Sequence, residues 1–397
     1  MLGVLRLFSR GKSTVVGIPE KASSYPHIVR IGNVEKVISV GPNNPDLVPN
    51  LNTRYSKLIT NTDLRHLEWM LKKDLLKQDM FLIGPPGDYK RRIVNLFGFL
   101  TSREMEFVQI SRDTTEADIK QRREIFNKSG VFFDQASVRC AVGGNVLVLD
   151  GIEKAERNVL PLLNNLLENR EMNLEDGRHL IPHFRYDALL QEFGDEVLKS
   201  WKLERVHQDF RIIALGLPVP TFKGNPLDPP LRSRFQARNI QSIERDEVLD
   251  VIHHTVGIDH SHPFKKLVDL AFALNFSKEH DFKKFEKHSG DVAHVPYFVI
   301  DNLLYGAAIT KMLEKETGGE SSLRSIFELM YPFKGSKIGS AVDENLGPEV
   351  RSTKRPMKLN LNPLPLPSQM ETLEMALGCL KSDINRGLLL YGSQGCG

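Results

Sequence analysis

Phe81-Leu82-Ile83-Gly84-Pro85-Pro86-Gly87-Asp88-Tyr89-Lys90-Arg91 reads as a short apolar strand, a turn of glycines and prolines, and the start of a basic helix. A phosphate-binding loop has the form G-x-x-x-x-G-K-[ST]. Its glycines let backbone N–H groups close around phosphates, its lysine neutralises their charge, and its hydroxyl holds Mg²⁺. Gly84 and Lys90 stand at matching positions, but a Gly-Pro-Pro-Gly turn taken alone could be a plain loop. A second stretch decides. Asn145-Val146-Leu147-Val148-Leu149-Asp150 is four apolar residues ending in an acid, the pattern that sets a carboxylate at the end of a buried strand, beside bound Mg²⁺.

Outward from these stretches, strands alternate with helices. Strands are expected at 80–83, 106–111, 146–149 and 210–215. Helices are expected at 64–76, at 91–101, and from about 158, where Val159, Leu162, Leu163, Leu166 and Leu167 share one face. The alternation predicts an α/β fold, a parallel sheet with flanking helices, over 80–240. Beyond Phe235 the apolar spacing becomes helical, as in Val248, Val251, Ile252 and Val256, and predicts a helical subdomain over 241–335. Residues 26–79 read as an N-terminal extension with a short strand or two and a lead-in helix. Residues 112–123 read as an exposed charged stretch, 169–180 as a hairpin, and 183–208 as an insertion longer than a simple connection needs. Residues 336–370 read as a linker, stiffened by Asn362-Pro363-Leu364-Pro365-Leu366-Pro367. After it, Leu388-Leu389-Leu390-Tyr391-Gly392-Ser393-Gln394-Gly395-Cys396-Gly397 again runs a strand into a glycine loop. It is expected to be the truncated start of a second module, at 371–397.

Composition narrows the function. With 41% hydrophobic and 26% charged residues among 397, the chain resembles ordinary folded proteins. Its 53 Lys and Arg nearly balance 50 Asp and Glu, which gives no compositional support for a nucleic-acid partner. No apolar run of ~18 residues occurs, so no membrane span is expected. Cys140, Cys379 and Cys396 are too scattered for a disulfide framework or metal cluster, which suggests a reducing compartment. The N-terminus carries Arg6, Arg10 and Lys12 with no acid before Glu20, and Val4, Leu5, Leu7 and Phe8 can share a helical face. That is the profile of a mitochondrial transit peptide over 1–25, with the matrix as destination; the alternative is a frayed basic terminus of no address. His253, His254, His260 and His262 lack a stable ligand spacing and read as a solvated cluster. Asn127-Lys128-Ser129-Gly130 lacks the acid that guanine recognition requires.

A third stretch, Leu227-Asp228-Pro229-Pro230-Leu231-Arg232-Ser233-Arg234-Phe235, resembles an arginine-finger segment. Taken in order, the three resemble AAA+ ATPases of the MoxR, midasin and dynein-related branch. The turn Asp150-Gly151-Ile152-Glu153-Lys154-Ala155 and the Leu-rich helix and hairpin of 162–178 are similar to that branch too. More closely, Ser111-Arg112-Asp113-Thr114-Thr115-Glu116, the run 151–172 and Ala214-Leu215-Gly216-Leu217-Pro218-Val219-Pro220 resemble the N-terminal module of a family with further AAA modules, a C-terminal von Willebrand A domain and a mitochondrial leader. The resemblance implies an AAA+ large subdomain at 80–240, a helical lid, and ATP hydrolase activity with ATP and Mg²⁺ as cofactors. It places ATP on Gly84, Pro85, Pro86, Gly87, Asp88, Tyr89, Lys90 and Arg91. It gives catalytic roles to Asp150, holding the metal with the nucleotide, and to Arg234, reaching a neighbour's site. The implied partners are other AAA+ modules, in a homo-oligomer or in a longer form of the same chain, and a protein client remodelled by the assembly.

The departures from that pattern are specific. Tyr89 replaces the second loop glycine, setting a bulky side chain where backbone must approach phosphate, and Arg91 replaces the Ser or Thr that would bind Mg²⁺. Gly151 replaces the glutamate that would orient water, and Leu217 stands where a polar sensor is typical. Phosphoryl transfer depends on metal, positioned water and charge neutralisation. The expectation is therefore a module that binds nucleotide weakly or statically. Its alternative form is a non-hydrolysing ring element that supplies Arg234 to a neighbour, and for Arg234 itself the other reading is a surface salt bridge.

Overall fold

The computed structural model describes residues 3–7, 15–17, 25–51, 58–156, 159–285, 297–317, 323–331 and 346. The rest of the 1–25 leader, nearly all of the 336–370 linker and the whole of 371–397 lie outside the described residues. The chain divides into two compact units, 1–242 and 243–397.

Unit one is built on five strands. In chain order they are β1 (Met80–Ile83), β2 (Met105–Gln109), β3 (Val146–Asp150), β4 (Arg211–Gly216) and β5 (Gln236–Asn239). They lie in the spatial order β5-β1-β4-β3-β2, every neighbouring pair parallel. A parallel strand covered on both faces reads as a continuous apolar run. Val146, Leu147, Val148 and Leu149 are accordingly all fully buried.

Helix α1 (Asn61–Leu75) precedes the sheet, and α2 (Tyr89–Thr101) crosses from β1 to β2. Helix α3 (Ala136–Gly143) leads into β3, and α4 (Leu163–Glu168) and α5 (Pro229–Arg234) lie beyond it in the chain. Ile93, Val94, Leu96 and Phe97 give α2 a fully buried face. Helix α1 begins with a reciprocal cap: Asp63 N donates to Thr60 Oγ1 at 3.1 Å, and Thr60 N to Asp63 Oδ2 at 2.9 Å. The same carboxylate, fully buried, binds α2. Arg92 donates to both Asp63 oxygens at 3.0 Å each, and Tyr89 Oη donates to Oδ1 at 2.7 Å. The lead-in helix is thus bound into the sheet's own unit.

Residues 112–123, expected to be an exposed charged stretch, contain a helical turn at Glu116–Ile119 and the start of a hairpin. Its arms, Gln121–Phe126 and Ser129–Asp134, pair antiparallel. The two residues between them, Asn127 and Lys128, have φ of 49° and 64°, the paired left-handed conformation that a two-residue hairpin loop favours. The expected hairpin near 169–180 joins Met172–Asn173 to His179–Pro182. The insertion after it folds as helices His183–Phe193 and Asp195–Ser200, then a strand, Leu203–Val206, parallel to His179–Pro182. Gly3–Leu7, expected on a helical face, is instead a strand parallel to His27–Ile31. Five residues are too few to sustain an isolated helix, whereas an existing strand edge offers hydrogen bonds at once.

Unit two is helical among its described residues: Arg245–Val256, Phe264–Phe285, Asn302–Thr317 and Leu323–Met330. Phe298, Phe327 and Tyr331 cluster with ring centroids 5.6 to 5.9 Å apart. Asn275 exchanges hydrogen bonds of 2.9 and 2.8 Å with the Phe298 backbone. Among the described residues, no helix is long and apolar enough to cross a membrane.

Candidate nucleotide site

The loop 84–91 leaves β1 at the carboxyl edge of the parallel sheet, where open α/β folds hold ligands. It is tied down on two sides, since Gly84 N donates to Gly216 O at 3.2 Å and Ile240 N to Ile83 O at 2.6 Å. A Cβ on Gly84 would lie 2.7 Å from the Ile240 carbonyl oxygen, so this position admits only glycine without backbone movement. Gly87, at φ 131°, sits in a region that side chains rarely enter. Helix α2 follows directly, its positive dipole end at the loop, and Asp88 makes no side-chain cap to its first turn. Lys90 is buried; its Nζ donates to Gly84 O at 3.1 Å and to Pro85 O, so the ammonium lies inside the curve of the loop.

Tyr89 does not obstruct that curve. Its ring is buried and its hydroxyl bonds Asp63 on α1, so the bulky side chain expected beneath the phosphates is turned into the core instead. A helix's first residues fan outward, and the pull of a buried carboxylate on the far side fixes the direction.

Arg91 turns the other way. Its Nη2 donates to Asp150 Oδ2 at 2.7 Å and to Gln109 Oε1 at 3.1 Å, and the guanidinium lies 5.7 Å from the centre of the Phe107 ring. Strands β3 and β2 thereby converge on the residue that follows the loop lysine. The group set does not fit Mg²⁺: no hydroxyl is present at position 91, and the carboxylate meant for the metal already neutralises a guanidinium. Mg²⁺ demands near-octahedral oxygen ligands and is repelled by a fixed cation in contact with one of them.

Gly151, next to Asp150, has φ 82°, and a Cβ there would lie 3.2 Å from Ile110 O. Leu217, at the expected sensor position, offers its backbone: Leu217 N donates to Glu153 Oε2 at 3.2 Å. Glu153 is buried, and its carbonyl accepts from Asn225 N at 2.7 Å, so this one residue holds the loop that follows β4. Sequence reading quoted Glu153 within its turn but gave it no role; its sole signal was its place three residues after the strand-end acid. Burial raises the Asp88 carboxyl above its ordinary range; Arg91 opposes this, the Asp150 charge reinforces it, and Arg92 opposes it further.

Arg234 lies at the end of α5, where it donates to Glu168 Oε2 at 3.0 Å through Nε and to Asn164 Oδ1 at 3.3 Å. Within this chain it is therefore ion-paired to α4. In unit two, His253 and His260 have ring centroids 5.4 Å apart, facing Asp259 and Asp250. No group of three metal-ligating side chains occurs among the described residues.

With this geometry in place, comparison with known proteins is informative. Residues 79–235 match the model of the AAA domain, dynein-related subfamily. Von Willebrand factor A domain-containing protein 8 of Mus musculus is 50% identical over 246 residues, covering 62% of this chain. The chain spans 13% of that relative's length. An uncharacterized protein of Staphylococcus saprophyticus is 24% identical over 182 residues, 45% of this chain and 60% of its own length. Among solved structures, NtrX from Brucella abortus in complex with ADP superposes at a TM-score of 0.38 with 11% identity, covering 64% of this chain and 50% of that one. Sheet order, loop and family match agree on residues 79–235 as the stretch that is similar to the dynein-related AAA domains.

Proposed function

We propose that residues 79–235 bind ATP at the 84–91 loop and hold it with slow turnover or none, as one module of an ATP-driven protein-remodelling assembly. The observation that carries the reading is Lys90, a buried ammonium enclosed by the glycine loop at the head of α2 and bonded to the carbonyls of Gly84 and Pro85. An ammonium held inside such a glycine loop is placed to neutralise the charge of a phosphate group lying against the loop's backbone. AAA domains as a family point to ATP hydrolysis. In this chain, the Arg91 pairing with Asp150 and the left-handed backbone at Gly151 favour retention over turnover.

The second reading is a ring element that supplies Arg234 to a neighbour. The Arg234 pairing with Glu168 supports it only if that pair opens. Glu168 has half its side chain exposed, so opening is cheap. Phe184, Phe193 and Trp201, all exposed on the 183–208 insertion, suit contact with another module or a protein client. The basic, acid-free start of the chain supports the mitochondrial matrix as the home of such an assembly.

The test is equilibrium binding of a fluorescent ATP analogue to the chain and to Lys90→Ala, with phosphate release followed in the same samples. Binding that weakens at least about tenfold in Lys90→Ala, without turnover in either, is expected. Turnover lost in Lys90→Ala would replace the static reading with an active ATPase. No binding at all would leave a phosphate loop in shape only.

A further inference from the structure

Arg91 occupies the position from which a Ser or Thr would ligate a metal ion, and it contacts the carboxylate that would complete the metal's shell. Three groups from two strands fix it there: Asp150 at 2.7 Å, Gln109 at 3.1 Å and the ring of Phe107. Asp150 and Gln109 take two of the five N–H donors of the guanidinium. A further donor, Nε, is buried and has no acceptor among the described residues. A buried donor without a partner is expensive, so an acceptor belongs beside it. Arg91 directly follows the loop lysine in the first turn of α2.

We infer that the module takes its nucleoside triphosphate without a divalent metal, Arg91 standing as a built-in cation where the metal would sit. The inference rests on the reading of 84–91 as a nucleotide site and adds the ionic form of the ligand. The guanidinium is already neutralised in part by Asp150, so it contributes directional donors and a fixed positive charge without demanding a second carboxylate. A metal-bound triphosphate brings a hydrated dication against that charge and is disfavoured. The metal-free triphosphate, with its full negative charge, is the matched ligand. Arginine is the side chain suited to this, because its fork stays protonated and presents parallel donors to phosphate oxygens.

The experiment titrates the full chain with a fluorescent ATP analogue in EDTA and in excess Mg²⁺, beside Arg91→Thr, which restores the hydroxyl, and Arg91→Lys, which keeps the charge but loses the fork. Thermal melting checks each variant's folding. The expected result is wild-type affinity in EDTA equal to or tighter than in Mg²⁺. Arg91→Thr loses about tenfold or more in EDTA and regains binding with Mg²⁺. Arg91→Lys stays metal-independent with weaker binding, and supplies the test should Arg91→Thr fail to fold. Wild-type binding that requires Mg²⁺ would overturn the inference and leave the nucleotide reading standing. Absence of binding in both buffers would overturn the two together.

Discussion

Tyr89 Oη lies 2.7 Å from Asp63 Oδ1, so the residue that interrupts the glycine pattern of the loop serves to hold two helices together. Tyr89→Phe removes one bond to a buried carboxylate that keeps three others, and is expected to cost about 1–2 kcal/mol. Tyr89→Gly, which restores the loop pattern, also removes a buried ring and is expected to cost about 3 kcal/mol or more, with no gain in nucleotide affinity. Urea denaturation and analogue binding measure both; tighter binding by Tyr89→Gly would show that the ring does obstruct the site.

The Asp63–Arg92 pair predicts a larger loss. Both side chains are almost wholly buried, and removing one leaves the other's charge without this counter-ion. Asp63→Ala is expected to destabilise by about 3–5 kcal/mol in denaturant unfolding. A change under 1 kcal/mol would mean that water or another group takes over the guanidinium.

At Gly151 the main chain itself disfavours a side chain. Gly151→Glu would put the absent glutamate into a left-handed backbone against the Ile110 carbonyl oxygen. The expected outcome is about 1–2 kcal/mol of destabilisation and no phosphate release. Turnover in this single variant would show that the backbone adapts readily.

His66 predicts a pH dependence. Burial first, then the nearby Arg238 charge, lowers its pKa to about 4 from an ordinary 6.5, and its Nδ1 accepts from Arg238 Nε at 2.9 Å. Between those two values the unfolded chain binds the proton and the folded chain does not. Stability from this group is thus complete above pH 6.5 and is lost as pH falls toward 4, by up to roughly 3 kcal/mol. Urea midpoints at pH 7, 5.5 and 4 should fall less for His66→Gln than for wild type, and parallel curves would exclude the assignment.

Asp88 works in the opposite sense on binding. Its carboxyl is already raised, and an incoming phosphate would raise it further, so nucleotide affinity should strengthen as pH falls through its titration. Asp88→Asn should bind more tightly at neutral pH and lose most of that dependence. Equal slopes for the two proteins would place Asp88 away from the ligand.

What could be read from the sequence was what repeats locally. Four of the five central strands follow from apolar runs, and the loop and acid follow from spacing, because each lies within about ten residues. The Arg91–Asp150 contact spans 59 positions and needs the strand order, which a run of apolar residues does not encode. The fifth strand, Gln236–Asn239, has alternating burial over four residues, too little pattern to register. The hairpin at 121–134 escaped for a different reason. Ile125, Phe126, Val131 and Phe133 are all exposed, so its strands carry no buried face to alternate with. Its turn, Asn127-Lys128, was the available signal.

The buried Asp63 carboxylate also bears on where this domain begins. The family match opens at residue 79, yet Arg92 and Tyr89, both within it, bond to a side chain sixteen residues upstream. A fragment cut at the edge of the match would carry a buried guanidinium with its counter-ion left behind. The smallest autonomous piece must therefore start before the cap at Thr60, and expression boundaries for this module are better drawn by hydrogen bonds than by resemblance.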